Sequence, residues 1–274
     1  MIGKTLARTV EIFRDIYHYP CFSCEHREPH FCILHGGKCA NLTVRFRGVY
    51  PDYESAVAAL PTGKPHGFNS DEVAGYFSEH HSTFNSNDYP VLLRLAQHLR
   101  PGARVFDLGG GSGQCYHAYS KQLVMPPGLT WQVCDVESFV HAGREFAEKQ
   151  GVEALAFTTD WRQANSALIC VANGALQYIE PDLSDLLREL PDKPAHVLVN
   201  RTPLCAGKPY YTVQYGAFTY CPYKIMNFES FVHGMEEAGY RLADQWTLPR
   251  TLRIPLHSGH AAEAYYGFYF HRAD

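Results

Sequence analysis

The sequence predicts an α/β fold in a Rossmann-like arrangement. A mostly parallel sheet carries helices on both faces, with an N-terminal helical and cysteine-rich cap. Three observations predict it. Strand-like apolar runs alternate with helical stretches after Gly102. The run ALICVA at 167–172 is continuously apolar, as a central strand buried on both faces requires. A glycine turn at 109–113 follows one strand and opens a helix.

The elements follow in order. Ile2, Leu6, Val10, Phe13 and Ile16 recur at helical spacing, with Lys4, Arg8, Arg14 and Asp15 between them, which predicts an amphipathic helix docked on the domain. Those charges interrupt any signal-peptide apolar core. A Cys/His-rich stretch at 18–39 and a turn-rich region from Tyr50 to Asn87 complete a cap over 1–88, and residues 89–274 form the main domain. Tyr89–Leu99 reads as a helix ended by Pro101–Gly102. Arg104–Leu108 is a strand, and a helix runs from the glycine turn to about Lys121. Thr130–Asp135 is a strand, Ser138–Lys149 a helix and Ala154–Thr158 a short strand. After the buried run, Asp182 caps a helix with Leu183, Leu186, Leu187 and Leu190 on one face. His196–Asn200 is a strand, Asn227 caps a helix stopped at Gly239, and strands near Leu242–Thr247 and Tyr265–His271 follow.

Composition narrows the function classes. The chain has 274 residues, 46% apolar and 19% charged, enough for one large core. A net charge of −4 argues against a nucleic-acid partner. No apolar run is long enough for a transmembrane helix. Nine cysteines, odd in number and without a signal peptide, argue against a disulfide framework and point to the cytoplasm.

The stretch VFDLGGGSG at 105–113 carries the most chemistry. Glycines there let backbone approach a ligand and take positive φ. A dinucleotide turn wants G-x-G-x-x-G, but Gln114 stands where its third glycine belongs. No Gly-Lys-Ser/Thr follows, which excludes a P-loop. Asp107 followed by Gly109, Gly111 and Gly113 resembles motif I of class I methyltransferases. The resemblance implies a turn under the methionine part of S-adenosylmethionine (SAM), with the acid placing the amino group. Asp135, 22 residues beyond Gly113, ends the next strand beside Val136, where a carboxylate accepts ribose hydroxyls. Asp160 follows the third strand, where a polar residue meets the adenine amine; a helix-capping Asp is the plain alternative. Asn173 and Gly174 follow the buried strand at the carboxyl edge where ligands gather, or form only a turn.

Further segments are similar to a family of bacterial SAM-dependent methyltransferases often found with polysaccharide or natural-product biosynthesis. They are FRGVYPDYESA at 46–56, WQVCDV at 131–136, NGALQYIE at 173–180, NRTPL at 200–204, TVQ at 212–214 and the block 227–246. The resemblance covers roughly residues 46–246 and implies the class I fold and methyl transfer to a small-molecule or saccharide acceptor, at oxygen or nitrogen. That family usually has Glu where Asp135 stands, and the cysteine-rich segment is no part of it.

The remaining candidates serve the acceptor and a metal. Arg201 leaves the fifth strand at the carboxyl edge and could clamp a carboxylate or phosphate, or form a structural ion pair. Gln214 and the tyrosines at 210, 211, 215, 220 and 223 follow in a hairpin-like insertion that would roof the acceptor or simply pack. A neutral hydroxyl acceptor would need a general base, with His80, His81 and His117 as candidates. Cys21, Cys24, Cys32 and Cys39 are spaced C-x2-C-x7-C-x6-C, half of a zinc signature, and stand as a structural zinc site or as free thiols. A homodimer through this segment is compatible with either. The rival functions are a nicotinamide oxidoreductase and a non-catalytic SAM-fold subunit, and retention of Asp107 and Asp135 weighs against the second.

Overall fold

The computed structural model describes residues 30–32, 37–39, 45–80, 83–216, 218–254, 257 and 259–273. The expected N-terminal helix, His81, Cys21 and Cys24 lie outside them. Strands β1 (His30–Cys32) and β2 (Gly37–Cys39) form a small antiparallel ladder. Strand β3 (Arg45–Tyr50) follows, and the region expected to be only turns contains helices α1 (Tyr53–Ala58) and α2 (Asp71–His80). Periodicity missed α1 and α2 because α1 buries only Ala56, while α2 is interrupted by Gly75.

Helix α3 (Tyr89–His98) follows, with Pro90 in its first turn, where no amide is lost. Then come β4 (Arg104–Leu108), α4 (Gln114–Tyr119), β5 (Thr130–Cys134), α5 (Glu137–Gln150), β6 (Leu155–Thr158) and β7 (Ile169–Asn173). Gly151 ends α5 in the left-handed region, at φ 65°. After α6 (Leu183–Arg188), strand β8 runs from His196 to Cys205, five residues beyond the expected end. It continues through Pro203, a residue that argues against a strand on sequence grounds alone. Strands β9 (Tyr210–Gly216) and β10 (Thr219–Asn227) form the expected hairpin. Helix α7 (Phe228–Glu237), capped by Asn227 on the Ser230 amide, leads to β11 (Tyr240–Leu248). The short pair β12 (Leu252–Arg253) and β13 (Ala261–Ala262) precedes β14 (Tyr265–Arg272). Asp182 precedes α6 as expected, but its carboxylate accepts from Lys224 Nζ at 2.8 Å rather than capping the helix.

Strands β6, β5, β4, β7 and β8 are parallel neighbours, with β14 antiparallel beside β8 and β11 antiparallel beside β14. The sheet forks at β8. Its first residues pair with β14, while Leu204 and Cys205 pair with β10, which carries β9 and then β3. Helices α3, α4 and α5 cover one face through Leu95, Tyr119 and Val140, and α6 and α7 cover the other through Leu187 and Met235. Ile169, Val171, Val197 and Val199 are completely buried between the layers, and each stabilises the sheet by about 1.5–3 kcal/mol.

Candidate functional site

The site is built at the carboxyl ends of β4, β5, β7 and β8. Asp107 is fully buried, and its Oδ2 accepts the Trp131 indole N–H at 3.0 Å. Its Oδ1 has no hydrogen-bond partner among the described residues. Burial pushes this carboxyl up to about 7. The turn above it holds Gly109, Gly111 and Gly113 at φ 69°, 60° and 92°. A Cβ on Gly109 would overlap Ala175, and one on Gly110 would overlap the Asp107 carboxylate, so the turn has no space for side chains. Asp135 fastens this turn from the neighbouring strand. Its Oδ2 accepts the Gly111 amide and its Oδ1 the Val136 amide, both at 2.7 Å. Burial raises its pKa, and those two amides oppose the rise. Each oxygen keeps a further lone pair for a ligand hydroxyl. Beside it opens a cleft of about 680 Å³ between Asn69, Glu137, Ser138 and Thr158.

A second cluster centres on Asp88, which is only 3% exposed. Arg201 Nη2 donates to both of its oxygens at 2.7 Å, Asn200 Nδ2 to Oδ1 at 3.2 Å and Asn173 Nδ2 to Oδ1 at 3.4 Å. The Asn85 amide donates to its Oδ2 at 3.2 Å. Arg201 reaches Asp88 because β8 bulges there. Thr202 pairs with Tyr266 and Val199 with Phe268, leaving two residues of β8 opposite one, and Arg201 takes a left-handed φ of 56°. Sequence reasoning missed Asp88 because the residues it meets lie 85 or more positions away in the chain; locally it forms a capping box with Asn85.

Residues 67–78 tie several of these elements together. Gly67 donates to the Tyr220 carbonyl at 2.9 Å, and Thr219 Oγ1 to the Gly67 carbonyl at 2.7 Å. Asn69 Oδ1 accepts the Ser138 amide at 3.1 Å, and the Ser78 hydroxyl lies 2.9 Å from that of Ser112 in the glycine turn. Phe68 meets Tyr178 edge-on at 4.8 Å, and Phe77 packs on Phe139 at 5.7 Å. Residues 67–78 thus join the β9–β10 hairpin, the start of α5 and the glycine turn.

With this geometry in place, solved structures provide a comparison. The N1-methyltransferase of 1,6-didemethyltoxoflavin from Burkholderia thailandensis, determined with 1,6-didemethyltoxoflavin and S-adenosylhomocysteine bound, aligns over 90% of this chain and 100% of its own. The identity is 17% and the TM-score 0.50. A candidate sarcosine dimethylglycine methyltransferase from Galdieria sulphuraria aligns over 75% of this chain and 99% of its own, at 12% identity and TM-score 0.52. The fold is that of the class I methyltransferases. No family model matches the sequence, and no curated protein matches it either.

Within the methyltransferase fold, the other expected residues divide. Asp160 is exposed and caps a 3-10 turn through the Arg162 amide at 3.0 Å, which is its plain alternative. Asn173 and Gly174 do lie beside the turn. Gly174 donates to the Asn200 carbonyl at 2.8 Å and is left-handed at φ 73°. Arg201 forms the structural ion pair that was its alternative to an anion clamp. Gln214 is buried and accepts the Tyr178 hydroxyl at 2.9 Å. Tyr210 and Tyr223 pack in a small core with Tyr265, while Tyr211 meets Tyr53. Tyr215 and Tyr220 stack on one another. His117 faces α5, edge-on to Phe146 at 4.9 Å, and burial lowers its pKa, so the structure gives it a packing role. His80 closes α2. In the β1–β2 ladder Cys32 pairs with Gly37 and Cys39 with His30. Among the described residues no group of three or more His, Cys, Asp or Glu could hold a metal. No helix among them is long and apolar enough to cross a membrane.

Proposed function

We propose that the chain is a SAM-dependent methyltransferase acting on a small-molecule or saccharide acceptor at oxygen or nitrogen. One observation carries this reading. The glycine turn is fastened to Asp135 above a buried Asp107 whose Oδ1 lacks a partner among the described residues. The residues fit the methyl donor. An unpartnered buried carboxylate oxygen complements an ammonium, and Asp135 has lone pairs left for two ribose hydroxyls. Val136, exposed directly after Asp135, would flank the base.

SAM supplies a methyl on a sulfonium, and the S–CH3 bond breaks with its electron pair left on sulfur while an acceptor lone pair forms the new bond. An amine acceptor sheds its proton to solvent once the methylated product is released, whereas a neutral hydroxyl needs a base besides. The chain's work is therefore alignment and exclusion of water. Asp107 and Asp135 hold the donor, and residues 67–78, packed against the β9–β10 hairpin and α5, help cover it.

The nicotinamide alternative is disfavoured by Gln114 and by the antiparallel β14 beside β8, which the dinucleotide sheet order lacks. Calorimetry tests the reading: SAM and S-adenosylhomocysteine (SAH) should bind, NAD should not, and Asp135→Ala should abolish binding. No affinity for SAM or SAH would refute it. Zinc at Cys21, Cys24, Cys32 and Cys39 is a separate proposal, tested by native mass spectrometry for a co-purified ion.

A further inference from the structure

Resting on the proposed methyl transfer, the geometry points to Asp88 as a positioning residue that sets the polarity of the acceptor side. The acceptor group it selects is a neutral hydrogen-bond donor (an amine, amide or hydroxyl) rather than a carboxylate or phosphate.

Two effects of Asp88 converge. The first is on charge. Arg201 is the cation at the carboxyl end of β8, and an anion clamp would need its charge free. The bulge at Asn200–Arg201 instead turns it onto a buried carboxylate, where Nη2 bridges both oxygens at 2.7 Å. The pair is neutral as a unit, so an incoming anion meets a charge that Asp88 has already compensated rather than a free cation.

The second effect is on the amide of Asn173. Its Nδ2 faces the Tyr119 hydroxyl at 3.0 Å, Asp88 Oδ1 at 3.4 Å and Cys115 Sγ at 3.5 Å. Asp88 is acceptor-only when ionised, which fixes the amide orientation. The Asn173 Oδ1 then points away from that cluster, buried and without a partner among the described residues. Gln177 repeats the pattern. Its Nε2 donates to the Gly174 carbonyl at 2.7 Å, and its buried Oε1 likewise has no partner among those residues. Besides Asp107, two buried acceptor atoms, one at the end of β7 and one in the turn that follows it, thus lack donors among the described residues. A ligand N–H or O–H satisfies them, whereas a carboxylate or phosphate oxygen would face them lone pair to lone pair.

Benzamide and benzoate are near-isosteric probes that differ in this property. With SAH-loaded protein, ligand-observed NMR should show benzamide bound more tightly than benzoate. Asp88→Asn leaves the Arg201 charge unopposed. It should raise benzoate affinity at least about tenfold, the scale of one charge-assisted hydrogen bond. The double variant Asp88→Asn/Arg201→Gln should lose that gain. A general loss of stability would not reverse a preference between isosteres. Benzoate bound at least as tightly as benzamide by the wild type, or no benzamide binding, overturns the inference. A folded Asp88→Asn variant with an unchanged ratio does so too. If that variant does not fold, the wild-type ratio still decides. Wild-type SAH calorimetry separately reports on the methyl-donor reading.

Discussion

Asp107→Asn should make the ligand-free protein more stable in alkali while weakening its hold on SAM. The carboxyl is fully buried, and its pKa rises from 3.8 to about 7 chiefly by desolvation. A raised carboxyl pKa means the folded state favours the protonated form. Its contribution is fully present in acid and is lost as pH rises from 3.8 through about 7. At 1.36 kcal/mol per decade, ionised Asp107 costs the folded state about 4 kcal/mol above neutral pH. Asparagine retains an acceptor for the Trp131 indole, but buries an unpaired amide at a cost of about 1–3 kcal/mol. The variant should therefore be more stable than wild type by about 2 kcal/mol near pH 8.5, and within about 1 kcal/mol near pH 5, where Asp107 is already protonated. Urea unfolding of the ligand-free proteins at the two pH values measures the difference. A gap between variant and wild type that is the same at both values would refute the reasoning. The same ionisation should make wild-type SAM affinity climb with pH through neutrality, with calorimetry in two buffers recording proton release.

Gly109→Ala should abolish SAH binding and destabilise the protein by about 1–3 kcal/mol, because φ is 69° and the new methyl overlaps Ala175. Adding Ala175→Gly should recover part of that loss in thermal melts, and no recovery would rule out the contact as the cause. At the opposite end of the sheet, His98 and His196 stack at 3.8 Å, and both bond the Tyr269 hydroxyl, at 2.8 and 3.0 Å. Burial and the facing His98, His271 and Arg100 lower His196 from 6.5 to about 4. A depressed histidine stabilises above its unfolded pKa, so stability should fall as pH drops from 6.5 towards about 4. His196→Gln should flatten that limb of the profile, and an unchanged limb would contradict it.

The chemistry of the cofactor side was more legible in the sequence than that of the acceptor side, for a physical reason. Asp107, the glycines and Asp135 act through short-range spacing, since a strand end, a tight turn and the next strand end are adjacent in any parallel sheet. The apolar runs of β4, β5 and β7 announce themselves because both faces are buried. Asp88 and Arg201 are 113 residues apart and meet only because β8 bulges, an irregularity that no local pattern records. Spacing alone does not tell which side of α4 the His117 ring occupies, and Asp160 follows a strand but also precedes a turn that it caps.

The forked sheet divides labour along one strand. The lower half of β8 belongs to the parallel sheet under the donor, and its upper end carries the β9–β10 hairpin as a side branch. That branch meets the glycine turn through residues 67–78, which bond Thr219 and Tyr220 at one end and Ser112 at the other. A chimera with a foreign hairpin that keeps those bonds should therefore keep its SAH affinity while accepting a different molecule. If the chain is a methyltransferase, such an architecture lets the donor end and the hairpin end of the sheet be altered separately.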